Sequence, residues 1–196
     1  EVLAGINSIG ADMEIRLAPL DDIPALHALE ARYFVENLSA SERTEGYISV
    51  QHSQQWFTSA IATDGIHVAT TDTGSLAGFI AITAPPSGPD ATPSPILQAM
   101  VDLAQTLNDN GMPIAAQRYA FRGPVLIDEG ARGHGLYSRF NAITRQAYAD
   151  IFDTGVLFVS TENPRSVHTT TTKLKAESLT IFEVDGKKYH FMAFSF

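Results

Sequence analysis

Val125-Leu-Ile-Asp-Glu-Gly-Ala-Arg-Gly-His-Gly-Leu-Tyr137 is the stretch on which the reading of this chain turns. It opens inside an apolar segment, residues 123–128, long enough for one buried strand. Beyond it, residues 138–150 place Phe140, Ile143 and Tyr148 among polar side chains at roughly helical spacing. A turn that leads a strand into a helix leaves backbone N–H groups without intrahelical acceptors. The helix dipole adds partial positive charge there, so such a turn seats phosphate oxygens. Gly133 and Gly135 lack a Cβ and let a pyrophosphate approach the main chain closely, while Arg132 and His134 add positive character. No Gly-Lys-Ser/Thr follows, so this is not a nucleoside-triphosphate loop. Nor do three glycines open the first unit of a βαβ series.

Outward from the turn, the elements alternate. Residues 14–17 read as a short first strand. Asp21 or Asp22 is placed to cap the helix that follows, with Pro24 in its first turn and Ile23, Leu26, Leu29 and Tyr33 on its apolar face. Residues 39–61 are less regular; Gly46 interrupts them, and Ser53 caps a second helical piece carrying Trp56, Phe57 and Ile61. Residues 66–70 and 76–82, joined by Asp72-Thr-Gly-Ser75, give a strong hairpin signal. Residues 84–95 hold five prolines and read as an exposed, mobile loop. An amphipathic helix starts at Pro95 and is expected to end near Asn110-Gly111. After the glycine turn and its helix, residues 155–160 supply the next strand. Residues 179–183 and 189–194, about an Asp185-Gly186 turn, form a closing hairpin. The aromatic-rich last strand, residues 191–196, is expected at a sheet edge, where it would favour a homodimer.

Two motifs sharpen this order. The strand followed by Arg132 and Gly135 resembles the acetyl-CoA-binding segment, Arg/Gln-x-x-Gly-x-Gly/Ala, of the GNAT superfamily of N-acetyltransferases; Tyr137 stands where that pattern has Gly or Ala. Thr161-Glu-Asn-Pro-Arg-Ser166, after the next strand, is similar to the family's Asn-x-x-Ser/Ala helix opening. The resemblance implies an α+β fold with a mixed central sheet of about six to seven strands flanked by helices. Its two central strands, near residues 125–127 and 157–160, splay apart to admit the pantetheine arm of acetyl-CoA. Met13 reads as the start of the core fold, with residues 1–12 a leading extension; the resemblance implies one acyltransferase-like domain, residues 13–196, with an insertion at 84–116. The loop and helix of that insertion read as a lid over the acceptor side, or equally as a surface insertion or oligomer contact.

Residue by residue, the resemblance puts Leu126 and Ile127 beside the arm as an added strand would sit. Arg132, Gly133, His134, Gly135, Leu136, Tyr137 and Ser138 surround the diphosphate, and Asn163 holds the arm or caps its own helix. Arg139, Arg165 and Lys173 are available for the 3′-phosphate. The implied reaction is direct attack by a primary amine of a small molecule or peptide on acetyl-CoA in a ternary complex. Where many members carry a Tyr or His acid, this chain has Thr170, and an alkyl hydroxyl is too weak an acid to replace a phenol. Glu129 and Tyr137 are the other candidates for a catalytic role. The departure leaves open a second expectation, a CoA-binding sensor or partner domain without transfer.

Composition restricts the alternatives. The chain has 196 residues, enough for one substantial core. A net charge of -9 argues against nucleic acid and anionic membrane surfaces and suits a cationic substrate. No cysteine is present, which excludes disulfides and thiolate chemistry and fits a reducing cytoplasm. No apolar run reaches the ~20 residues of a membrane span. His52, His67, His168 and His190 show no metal-ligand spacing with carboxylates, so no metal is expected.

Overall fold

The computed structural model describes residues 13–87 and 93–196. The leading segment 1–12 and positions 88–92 of the proline-rich loop lie outside the described residues. Among the described residues, seven strands make one sheet: β1 (Glu14–Leu17), β2 (Ile66–Thr70), β3 (Leu76–Thr83), β6 (Tyr119–Ile127), β7 (Thr154–Ser160), β8 (Glu177–Val184) and β9 (Lys187–Ser195). Their order is β1-β2-β3-β6-β7-β9-β8. Every pairing is antiparallel except β6 with β7.

Helices cover both faces, which explains why the central strands read as almost continuous apolar runs. α1 (Ile23–Tyr33) and α3 (Gln54–Ala62) pack Leu26, Leu29 and Phe57 on Val68, Phe79, Ala81 and Leu126. α5 (Leu136–Tyr148) takes the opposite face, with Leu136 and Phe140 against Ile80. Phe79 and Ile80 thus serve opposite layers, as the two-residue period of a strand demands. Fully burying a side chain such as Leu26 or Phe57 stabilises the fold by roughly 1.5–3 kcal/mol. Near the other end, α4 (Pro95–Ala104) sets Met100 and Ala104 on Tyr119, Phe121, Val156 and Phe191. α6 (Pro164–Thr169) continues into a wider π turn, Thr170–Leu174, whose Leu174 packs on Leu157 and Met192.

The sequence placed most elements, and the structure corrects several. The strand before the glycine turn begins at Tyr119, not Gly123. Asp22 does not cap α1 with its side chain; it pairs with Arg16 at 2.6 Å instead. A short helix, α2 (Ala40–Arg43), opens on a capping box in which Ser39 and Glu42 satisfy each other's backbone N–H. α4 stops at Ala104, because Asn110-Gly111 is used as a hairpin turn between β4 (Asn108–Asp109) and β5 (Met112–Pro113). Asn110 and Gly111 both take positive φ, 52° and 84°, as a primed turn requires. β9 is not an edge strand: β7 pairs with one side of it and β8 with the other, so β8 forms the edge. The basis for pairing a second copy along residues 191–196 is therefore lost. Among the described residues, no helix is long and apolar enough to cross a membrane.

Candidate active site

The parallel pair β6–β7 is short. Only Tyr119–Phe121 lie opposite Thr154–Val156; from Arg122 and Leu157 onward the two strands part. The cause sits in β6 itself. Ile80 faces Val125 and Ile82 faces Arg122, so Gly123 and Pro124 together oppose Ala81 as a bulge. Pro124 has no N–H with which to continue a ladder toward β7. A cavity of about 670 Å³ occupies the opening and is lined by both strands, including Arg122–Val125 and Leu157–Ser160.

The glycine turn stands at the open end of this slot. Gly133 and Gly135 hold φ of 83° and 75°, and Gly135 is the N-cap of α5. A Cβ at either would meet nothing within 4 Å, so the turn faces open space. Backbone bonds use the N–H of Ala131, Arg132 and Arg139. Among the described residues, no hydrogen bond of good geometry takes up the N–H groups of residues 133–138. Ser138 supplies none, since α5 has no side-chain cap. Arg132 is tied down, with Nε donating to the Ile127 carbonyl at 3.2 Å and its guanidinium 5.0 Å from the Tyr33 ring centre. The Ile127 carbonyl is thus occupied, and Leu126 has its side chain in the core.

No family model matches the chain, and no curated protein matches it in sequence. Its fold does match solved structures. An N-acetyltransferase from Staphylococcus aureus Mu50 is 17% identical over 94% of this chain and 99% of its own, at a TM-score of 0.62. A ribosomal-protein-alanine N-acetyltransferase from Brucella melitensis is 14% identical over 93% and 99%, at 0.59. Arabidopsis thaliana NAA60, in complex with a bisubstrate analogue, is 10% identical over 93% and 97%, at 0.61. The fold is that of the GNAT acetyltransferases.

Within this GNAT fold, the other sequence candidates separate. Thr170, 3% exposed, and Tyr137 line the cavity. Asn163 also lines it, but its amide is committed: Oδ1 accepts from Ser166 N at 3.2 Å as the α6 cap, and Nδ2 donates to the Tyr47 carbonyl at 3.1 Å. Glu129 is exposed and outside the cavity wall, with its N–H donating to the Tyr33 hydroxyl at 2.8 Å. His134 is exposed on the turn. Arg139 donates to the Met13 carbonyl at 2.6 Å, and Arg165 pairs with Glu45. Residues 84–87 and Pro93 of the insertion line the cavity, while Met100 and Ala104 of its helix are core.

The sequence reading missed one constellation. Glu30 on α1 is fully buried, and both its oxygens are taken by His52: Oε1 lies 2.7 Å from Nδ1 and Oε2 accepts the His52 backbone N–H at 2.9 Å. A carboxylate only accepts, so Nδ1 carries the proton that faces it. The imidazole lines the cavity and stacks on Trp56, ring centres 3.9 Å apart. The local signal was present, since Glu30 falls at the 23-26-30-33 spacing that buries α1, where an isolated carboxylate costs several kcal/mol. Nothing in sequence ties it to His52, which lies 22 residues away.

Proposed function

We propose that this chain is an N-acyltransferase that moves an acyl group from a coenzyme A thioester, acetyl-CoA in the simplest case, to the primary amine of a small molecule or peptide. The observation that carries the reading is the slot between β6 and β7 ending beside six backbone N–H groups that no hydrogen bond of good geometry takes up among the described residues. The residues fit the cofactor. Main-chain donors of Gly133, His134, Gly135, Leu136, Tyr137 and Ser138 would hold the diphosphate, and the unpaired edges of β6 and β7 would flank the arm. When bound, the thioester supplies an activated acyl carbon. His52 accepts the proton that the amine loses as its nitrogen attacks, and Glu30 fixes the tautomer that allows it. Holding amine and acyl carbon together in the cavity supplies much of the rate. The C–S bond breaks and the sulfur leaves as thiolate, which needs a proton. Tyr47 lines the cavity and donates to Ser160 Oγ at 3.1 Å, so it offers the phenol that Thr170 does not.

Thr170 supports a second reading, a CoA-binding sensor without transfer, against which the His52–Glu30 pair weighs. Thermal shifts with CoA, acetyl-CoA and ATP test the binding step: selective stabilisation by the CoA species is expected, and equal response to ATP contradicts it. Thiol release with a panel of primary amines then tests transfer. Tight acetyl-CoA binding with no release across a broad panel favours the sensor.

A further inference from the structure

Among the described residues, three buried side-chain polar atoms have no hydrogen-bond partner: Arg122 Nε, Tyr137 Oη and Asn141 Nδ2. They form one cluster. Arg122 donates to Asn141 Oδ1 at 2.7 Å, and its guanidinium carbon lies 5.2 Å from the Tyr137 ring centre. Tyr137 and Asn141 sit one turn apart on α5, so both side chains occupy the same face. Arg122 Nε and Asn141 Nδ2 only donate, and the Tyr137 hydroxyl can donate as well as accept. Arg122 is 5% exposed and pairs with no carboxylate among the described residues. Burial pushes its guanidinium below the ordinary value; the Tyr137 hydroxyl opposes this, and Arg145 nearby adds a smaller push downward. A buried cation with no counter-charge is costly, and neutral water would not compensate it. A carboxylate would satisfy the donors and the charge together.

The position of the cluster says which carboxylate. Arg122 is the first residue beyond the last β6–β7 pair, Phe121 with Val156, so it marks the closed apex of the slot. From Ile127, at the phosphate turn, five residues of strand lead to Arg122, about 16 Å at ~3.3 Å per residue. An extended pantetheine arm entering from the turn would bring its acyl group to that apex.

We propose that Arg122, Tyr137 and Asn141 form a carboxylate site for the far end of the acyl group, making a CoA monothioester of a short dicarboxylic acid the preferred donor. This rests on the reading of the slot as a CoA thioester site and adds to it the identity of the acyl chain. The reaction balances as for acetyl transfer: the amine nitrogen bonds to the thioester carbon, the C–S pair leaves on sulfur, and one proton passes from nitrogen to His52 while the thiolate gains one. The distal carboxylate does not react and stays on the amide product.

The test measures dissociation constants by calorimetry, and kcat/KM by thiol release, for CoA, acetyl-, butyryl-, malonyl- and succinyl-CoA. The acceptors are an amino acid and its methyl ester. The proposal expects a carboxyacyl donor to be bound and used on the order of tenfold or more better than butyryl-CoA, with the preference lost in Arg122→Gln. Because the readout is a ratio within each protein, partial unfolding of the variant cancels; Tyr137→Phe, which keeps the ring, should weaken the preference in the same direction. Binding of CoA and acetyl-CoA with no carboxyacyl preference overturns the carboxylate site and leaves the CoA reading standing. Failure of every CoA species to bind overturns both. An Arg122-dependent preference for the amino acid over its ester, blind to the donor, moves the carboxylate to the acceptor and overturns the acyl assignment.

Discussion

At the smallest scale, the proposed chemistry rests on Glu30 and His52. A carboxylate within α1's apolar stripe is stable only because one residue, His52, engages both of its oxygens. His52→Gln keeps the stacking volume against Trp56 and removes the proton acceptor. It is expected to lower kcat about 100-fold or more while acetyl-CoA binding by calorimetry stays within a small factor. Glu30 acts through His52 as a positioning residue. Glu30→Gln removes the acceptor that orients the imidazole, so kcat should fall while KM and acetyl-CoA binding change little. An unchanged kcat in Glu30→Gln would assign the pair to packing alone. Tyr137 shows the other side of the residue scale: it stands where the family pattern has Gly or Ala, and its ring and hydroxyl wall the slot beside Arg122.

At the scale of elements, the turn into α5 and the bulge in β6 define the site. Gly133 and Gly135 are required by their positive φ and not by crowding. Gly135→Ala should therefore cost about 1–2 kcal/mol from the left-handed conformation. At about 2–4 °C per kcal/mol for a chain of this size, melting should fall by a few degrees. CoA affinity should fall further than acetyl-CoA-independent properties such as the circular dichroism spectrum, and a variant that binds CoA normally would remove the turn from the phosphate site. These elements were legible because their signals are local. The Gly-x-Gly turn, the Ser53 cap and the Asp185-Gly186 hairpin each act within a few residues. What escaped was set by distance or by competition. The length of α4 yielded to the Asn110-Gly111 turn, and the place of β9 was decided by β8 pairing outside it. The splay of β6 from β7 was implied by resemblance alone, although Gly123-Pro124 marks the bulge in the chain. The His52–Glu30 and Arg122–Tyr137–Asn141 groups join separate elements, and no local pattern announces them.

For the whole molecule, net charge misdirects. A chain at -9 suits a cationic substrate, yet among the described residues no carboxylate lines the cavity, whose ionisable walls there are His52, Arg122, Tyr47 and Tyr137. The acidic surface and the neutral-to-positive interior are separate properties. Stability has its own pH dependence. His67 is buried in β2, with the Tyr148 hydroxyl 3.5 Å from Nδ1, and burial lowers its pKa below the ordinary 6.5, opposed by Asp64. The unfolded chain then binds the proton more readily than the folded one, so stability is fully present above pH ~6.5 and is lost as pH falls toward the folded value. Thermal melts across pH 7.5 to 5 should show this decline, and His67→Gln should flatten its histidine component; an identical slope in the variant would contradict the assignment.

The central claim is that a CoA diphosphate rests on the amides of residues 133–138 with its arm between β6 and β7. A ¹⁵N–¹H titration of the labelled protein with CoA tests it directly. The account predicts that the amide signals of Gly133 to Ser138 shift together with those of Gly123, Val125 and residues 157–160, saturating with one dissociation constant. Saturating CoA that leaves the signals of residues 133–138 unmoved would contradict it.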